Sequence, residues 1–102
     1  MEERLAFLKP RQMFTGLAEE DIRMIAERME EFSLPAGKNL YSRGDKGSVF
    51  YIIFKGSVRV WAYDEDDQRR DFGTLEAGDK LGMESLLTGQ PRATTVSTLE
   101  DT

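Results

Sequence analysis

The chain has 102 residues, no cysteine, no histidine and a formal net charge of -5. That length predicts one domain with a single hydrophobic core. The missing histidine and cysteine remove the commonest metal ligands, the commonest general base and any thiol nucleophile, which argues against hydrolytic and metal-dependent chemistry. Negative charge argues against a nucleic-acid backbone as partner. No apolar run reaches the roughly 18 to 20 residues of a membrane span, and the start MEERLAFLK lacks a basic signal-peptide region. A cytoplasmic, non-catalytic protein is expected, bound to neither membrane nor nucleic acid.

The first third is read as helical. In EERLAFLK, Leu5 and Leu8 share a face and Pro10 closes the segment. A second helix is predicted from about Ala18 to Phe32, where Ile22, Ile25, Ala26 and Met29 form one apolar stripe among charged neighbours. Ala18 is a weak cap, forgoing about 1 kcal/mol relative to Ser or Asp. The stripe reads as core packing in preference to a partner-helix interface.

From Pro35 onward the period becomes two. KNLYSRG, SVFYIIFKG, SVRVWAY, RRDFGTLEAG and RATTVSTLE are short runs rich in β-branched and aromatic residues, separated by turn signals. Lys55-Gly56 is expected to make a tight hairpin turn, and Gly37, Gly44, Gly47, Gly73 and Gly78 to mark corners. Alternation leaves open whether Phe50, Ile52 and Phe54 or Tyr51 and Ile53 point inward, and likewise for Val58, Val60 and Ala62 against Arg59 and Trp61. The acids Asp64-Glu65-Asp66-Asp67 read as a solvated hairpin loop and not a cation site, because no glycine turns them toward one centre. Arg69 and Arg70 are expected to pair with these acids across the strands.

LGMESLLTGQPRATTV carries the densest chemistry. Gln90 precedes a proline and is pushed out of the helical region, with Gly89 free to supply the bend, so Leu81 to Leu87 can form only a short helix. Its first amides, from Met83 onward, have no intrahelical acceptor, and Arg92 lies on the return path. Backbone amides and a forked cation can then converge on one phosphate. The competing reading from spacing is an Arg92 salt bridge to Glu84.

Four stretches, MFTGLAEEDIRMIAERMEEF, PAGKNLYSRGDKGSVFYIIFKGSVRV, LEAGDKLG and SLLTGQPRATTV, together resemble the cyclic-nucleotide-binding domain family. The resemblance implies a mainly β fold: a β-roll or jelly-roll, cupin-like in its double-stranded β-helix, with flanking N-terminal helices. Residues 1-33 would be helical and 34-102 the roll. It also implies a regulatory sensor that binds a cyclic nucleotide, cAMP in preference to cGMP, through a phosphate-binding cassette and relays this to an output domain. The ligand-binding set becomes Gly82, Met83, Glu84, Ser85, Arg92, Ala93 and Thr94, with Arg92 on the phosphate, Gly82 approaching the sugar and the Ala93 backbone donating. Gly56, Val58, Tyr51 and Leu75 become framework or pocket wall. No metal or cofactor is implied, and a homodimer is compatible with the resemblance.

Two departures from the family pattern are visible. The glutamate that follows the cassette glycine and accepts the ribose 2′-hydroxyl is Met83 here, with Glu84 one residue later, about 100° around a helix. Losing such a bond costs about 1.5 to 3 kcal/mol. The second departure is that the chain stops at LEDT, so a last strand and lid helices are expected to lie in a longer polypeptide. The alternative on the same fold is a degenerate domain that binds no nucleotide and serves as a structural or interaction module. A cupin-like metalloenzyme would need clustered histidines.

Overall fold

The computed structural model describes Glu2 to Thr102, and the chain divides between Phe32 and Ser33 into two compact units. In the first, α1 spans Glu2–Leu8, a single 3-10 turn spans Gln12–Phe14, and α2 spans Glu19–Arg28. Leu5, Leu8, Phe14, Ile22 and Ala26 are buried within it. The predicted apolar stripe is therefore this unit's core. Ala18 caps α2 without a side-chain hydrogen bond.

α2 ends earlier than its periodicity predicts. Arg28 is the last helical residue, whereas the pattern predicts a helix to Phe32 with Met29 on its stripe. The reason is tertiary: Arg4 of α1 donates from Nη1 to the carbonyls of Ala26 at 2.6 Å and Met29 at 3.0 Å. Both carbonyls lie at a helix end, where acceptors outnumber the intrahelical donors. The Met29 amide tightens onto Ala26 O at 3.3 Å, an i to i-3 bond that closes the last turn.

The second unit is mainly β. Its strands are β1 Asn39–Tyr41, β2 Tyr51–Ile52, β3 Ser57–Tyr63, β4 Arg69–Glu76, β5 Lys80–Leu81 and β6 Thr95–Thr98, with α3, Met83–Thr88, between the last two. Four strands form one sheet in the order β1-β6-β3-β4, and β2 pairs with β5 in a second. Every pairing is antiparallel. Ile53, Val58, Leu81 and Val96 are the buried centre, with Leu40, Tyr41, Tyr51, Val60 and Leu75 packed around them. Each fully buried aliphatic side chain contributes about 1.5 to 3 kcal/mol. The face left open by alternation is thus decided: Ile53, Val58 and Ala62 point inward while Phe54 is exposed.

One strand pairing differs from expectation. Lys55-Gly56 does not close a hairpin, because β2 pairs with β5 and β3 pairs with β4 and β6. The Ile53 amide donates to Asp79 O at 3.0 Å and the Gly78 amide to Ile53 O at 2.8 Å, so this stretch belongs to the second sheet. Gly56 is a corner between sheets, where a Cβ would stand 2.6 Å from Asp101 O. β5 itself, in LEAGDKLG, is too short to show a period. β3 and β4 form the long hairpin, and the acidic run is its loop: Asp64 Oδ1 accepts the amides of Asp66 and Gln68, and Oδ2 accepts Arg70 Nε at 2.8 Å. Arg69 pairs instead with Asp71 and lies over the Trp61 ring, 4.3 Å from its centroid. Among the described residues no helix is long and apolar enough to cross a membrane.

Candidate functional site

The segment from β5 to β6 folds back on the loop that follows β1. The Arg92 amide donates to Asp45 O and the Gly44 amide to Arg92 O, both at 2.8 Å, and Thr95 Oγ1 accepts the Arg43 amide at 3.0 Å. This two-way backbone link fixes the Arg92 Cα against residues 42-45. α3 is bracketed by two glycines in the left-handed region, Gly82 at φ 83° and Gly89 at φ 74°. A side chain at Gly82 would be strained by its backbone alone. The expected short helix is therefore present, shifted to Met83–Thr88, with no side chain capping its start.

Arg92 is 4% exposed, rare for an arginine. Its guanidinium turns inward: Nη1 donates to Gly82 O at 2.7 Å and Nη2 to Val49 O at 2.8 Å. Its carbon lies 4.3 Å from the Tyr41 ring centroid and 5.9 Å from that of Tyr51. The competing reading, a salt bridge to Glu84, is not formed; among the described residues Arg92 has no carboxylate within 4.0 Å. The backbone carbonyls are nearer, because the turn at Gly82 brings its oxygen to the guanidinium while Glu84 points to the exposed side of α3. Arg92 Nε is buried and has no hydrogen-bond partner. A buried charged donor left unpaired is costly, which marks a position where an acceptor belongs.

Gly47 was expected as a corner, yet its backbone is not in the left-handed region. It is small for a different reason. A Cβ there would clash with Ser85 and stand 2.7 Å from both Cζ and Nε of Arg92. The loop backbone thus passes directly against the guanidinium.

The predicted site residues fall into two groups. Gly82, Ser85 and Arg92 gather at the guanidinium, with Ser85 buried against Gly47. Glu84 and Thr94 act instead on the Tyr41 phenol, Thr94 lowering its pKa and the Glu84 charge raising it. Met83 is half-buried at the first helical position and Ala93 is exposed. Burial pushes the Tyr41 phenol above its ordinary pKa, against the opposing pull of the Arg92 charge. Gly47, Val49 and Tyr41 were not singled out for the site by sequence reasoning. The signal for Gly47 was its place in the glycine-rich SRGDKG; Tyr41 and Val49 read only as strand residues.

Residues 31–102 match the model of the cyclic nucleotide-binding domain, and the chain belongs to that family. Its class is that of the cyclic nucleotide-binding regulatory domains. It is 34% identical over 80 residues to the patatin-like phospholipase domain-containing protein 7 of Rattus norvegicus, covering 78% of this chain and 6% of that protein. To the cyclic AMP receptor protein of Thermus thermophilus it is 30% identical over 95 residues, covering 93% of this chain and 44% of the relative. The regulatory domain of Toxoplasma gondii PKA, crystallised with cAMP, superimposes with a TM-score of 0.88 at 27% identity, over 98% of this chain and 38% of that one. The chain thus spans less than half the length of each.

Proposed function

We propose that this chain is a sensor that binds a cyclic nucleotide, cAMP in preference to cGMP, and passes the binding event to an output element. The ligand set is Gly82, Met83, Glu84, Ser85, Arg92, Ala93 and Thr94. One observation carries this reading: a buried arginine whose Nε has no acceptor, beside two glycines that let backbone approach it. A cyclic phosphodiester supplies one negative charge and the oxygen acceptors that a guanidinium fork takes. Ser85 and the uncapped start of α3 adjoin the same group, although the arginine, not a six-residue helix end, carries the argument.

The preference for cAMP follows from the neighbour of the arginine. Ala93 has no hydroxyl to offer a guanine base. Met83 offers no acceptor to a ribose hydroxyl, so affinity is expected below that of a site with a carboxylate there. Signalling then requires that the two states of the cassette differ in ligand affinity. Arg92 Nη1 bonds to Gly82 O at the start of α3, so a ligand that repositions the guanidinium acts on that helix. The protein acts without catalysis of its own, in the cytoplasm.

Titration calorimetry with cAMP and cGMP on wild type and Arg92→Lys tests this. Lysine keeps the charge and loses the fork, and the expected loss is at least about tenfold for one charge-assisted bond. Absence of heat with wild type at millimolar cAMP and cGMP, or equal affinities in the two proteins, removes the sensor reading.

A further inference from the structure

Tyr41 belongs to β1, opposite Val96 of β6, and is half-buried. Its ring stacks on that of Tyr51, centroids 6.2 Å apart and planes 27° from parallel, and the Arg92 guanidinium carbon stands 4.3 Å from the Tyr41 centroid. A guanidinium carries five N–H donors in a rigid plane. Two of its nitrogens are committed to the Gly82 and Val49 carbonyls, and Nε is left without a partner. In-plane bonds alone leave the faces of that plane unprotected, and water on a face would loosen both carbonyl bonds. The aromatic ring covers a face and attracts the cation electrostatically.

We propose that Tyr41 is the positioning residue for Arg92: its ring clamps the guanidinium onto the Gly82 and Val49 carbonyls and keeps Nε free for an incoming anion. The inference rests on Arg92 being the phosphate-binding group, but the clamp has its own readout in the ligand-free chain. An Nε–H held near an aromatic face and away from water gives a ring-current-shifted, slowly exchanging resonance, distinct from those of exposed arginines.

The test is a ¹H–¹⁵N spectrum of arginine Nε–H groups, with cAMP titrations, on wild type, Tyr41→Phe and Tyr41→Leu. In wild type and Tyr41→Phe the Arg92 Nε–H should be shifted and slow to exchange. In Tyr41→Leu it should move toward the exposed-arginine position, exchange faster, and cAMP binding should weaken about 3- to 30-fold. Tyr41→Phe keeps the ring and should bind cAMP within about threefold of wild type, which loss of β-strand packing alone does not distinguish but the restored resonance does. A wild-type Nε–H at the exposed-arginine position overturns the clamp without recourse to any variant. An identical resonance in wild type and Tyr41→Leu overturns it equally. If wild type shows the signature, Tyr41→Leu loses it, and cAMP does not bind, the clamp stands and the sensor reading falls.

Discussion

Gly47→Ala is the substitution by which the site's packing is most directly probed. The position tolerates a side chain as far as its backbone is concerned, so the whole effect comes from what the new methyl meets. That methyl would stand 2.7 Å from Arg92 Cζ and Nε, about 1 Å inside an ordinary contact, and would also clash with Ser85. Ser85 is on a helix and buried, so the loop at Gly47 must shift as well as the guanidinium. A shift of that size breaks one or both of its bonds, to Gly82 O and Val49 O. Each bond to a charged group is worth about 1.5 to 3 kcal/mol, and a buried unpaired donor adds to the loss. A destabilisation of about 2 to 4 kcal/mol is expected in urea denaturation followed by Trp61 fluorescence, together with cAMP binding weakened about tenfold or more. Gly73→Ala, on the edge strand β4, is the control. At φ +109° with nothing within 4 Å of its Cβ, it should cost only the left-handed backbone term, about 1 to 2 kcal/mol, and leave cAMP affinity unchanged. If Gly47→Ala is within about 0.5 kcal/mol of wild type with unaltered affinity, the guanidinium is not where the site requires it.

Met83→Glu should tighten cAMP binding about tenfold if it restores one charged acceptor for a ribose hydroxyl, read by calorimetry; unchanged affinity means that α3 presents its first residue elsewhere. Arg4→Ala should fray the last turn of α2 by removing the donors to Ala26 and Met29 carbonyls, seen as faster amide exchange near Ala26 and a loss of about 1 to 3 kcal/mol. The Asp64 carboxyl is held below the ordinary aspartate range, first by the Gln68 amide and then by Arg70. A carboxylate with a lowered folded pKa stabilises the hairpin fully above its unfolded value, about pH 3.9, and loses that support as pH falls through the folded value. Protection of the Gln68 amide, measured against its intrinsic exchange rate at each pH, should therefore fall on acidification below about pH 4, and a flat profile would remove the role assigned to this loop acid.

Much of the fold was legible because local chemistry and tertiary outcome agree. Leu5, Leu8, Ile22 and Ala26 are spaced for one helical face and are buried. The acidic run between two alternating stretches became a hairpin loop, since four adjacent carboxylates have nowhere else to go but water and Arg70. Beside the candidate site, the shortness of α3 and the bend at Gly89 were readable because Gln90 precedes a proline. What could not be read was pairing between distant segments. Lys55-Gly56 looks locally like a hairpin turn, yet Ile53 exchanges backbone bonds with Gly78 and Asp79 instead. Spacing left a phosphate and Glu84 as alternative partners for Arg92, yet backbone oxygens from Gly82 and from the distant Val49 took two of its donors.

The amino-acid sequence by itself determined where the period changes from helix to strand, where the chain turns, and that a cation follows a short helix in a chain without histidine or cysteine. These are consequences of side-chain size, charge and backbone freedom over a few residues. Only the tertiary structure decided which face of β2 and β3 is buried, where α2 stops, and that Arg92 lies inside between Gly47, Tyr41 and the carbonyls of Gly82 and Val49. Those outcomes depend on which segments far apart in the chain come to lie side by side, and no property of a short window contains that.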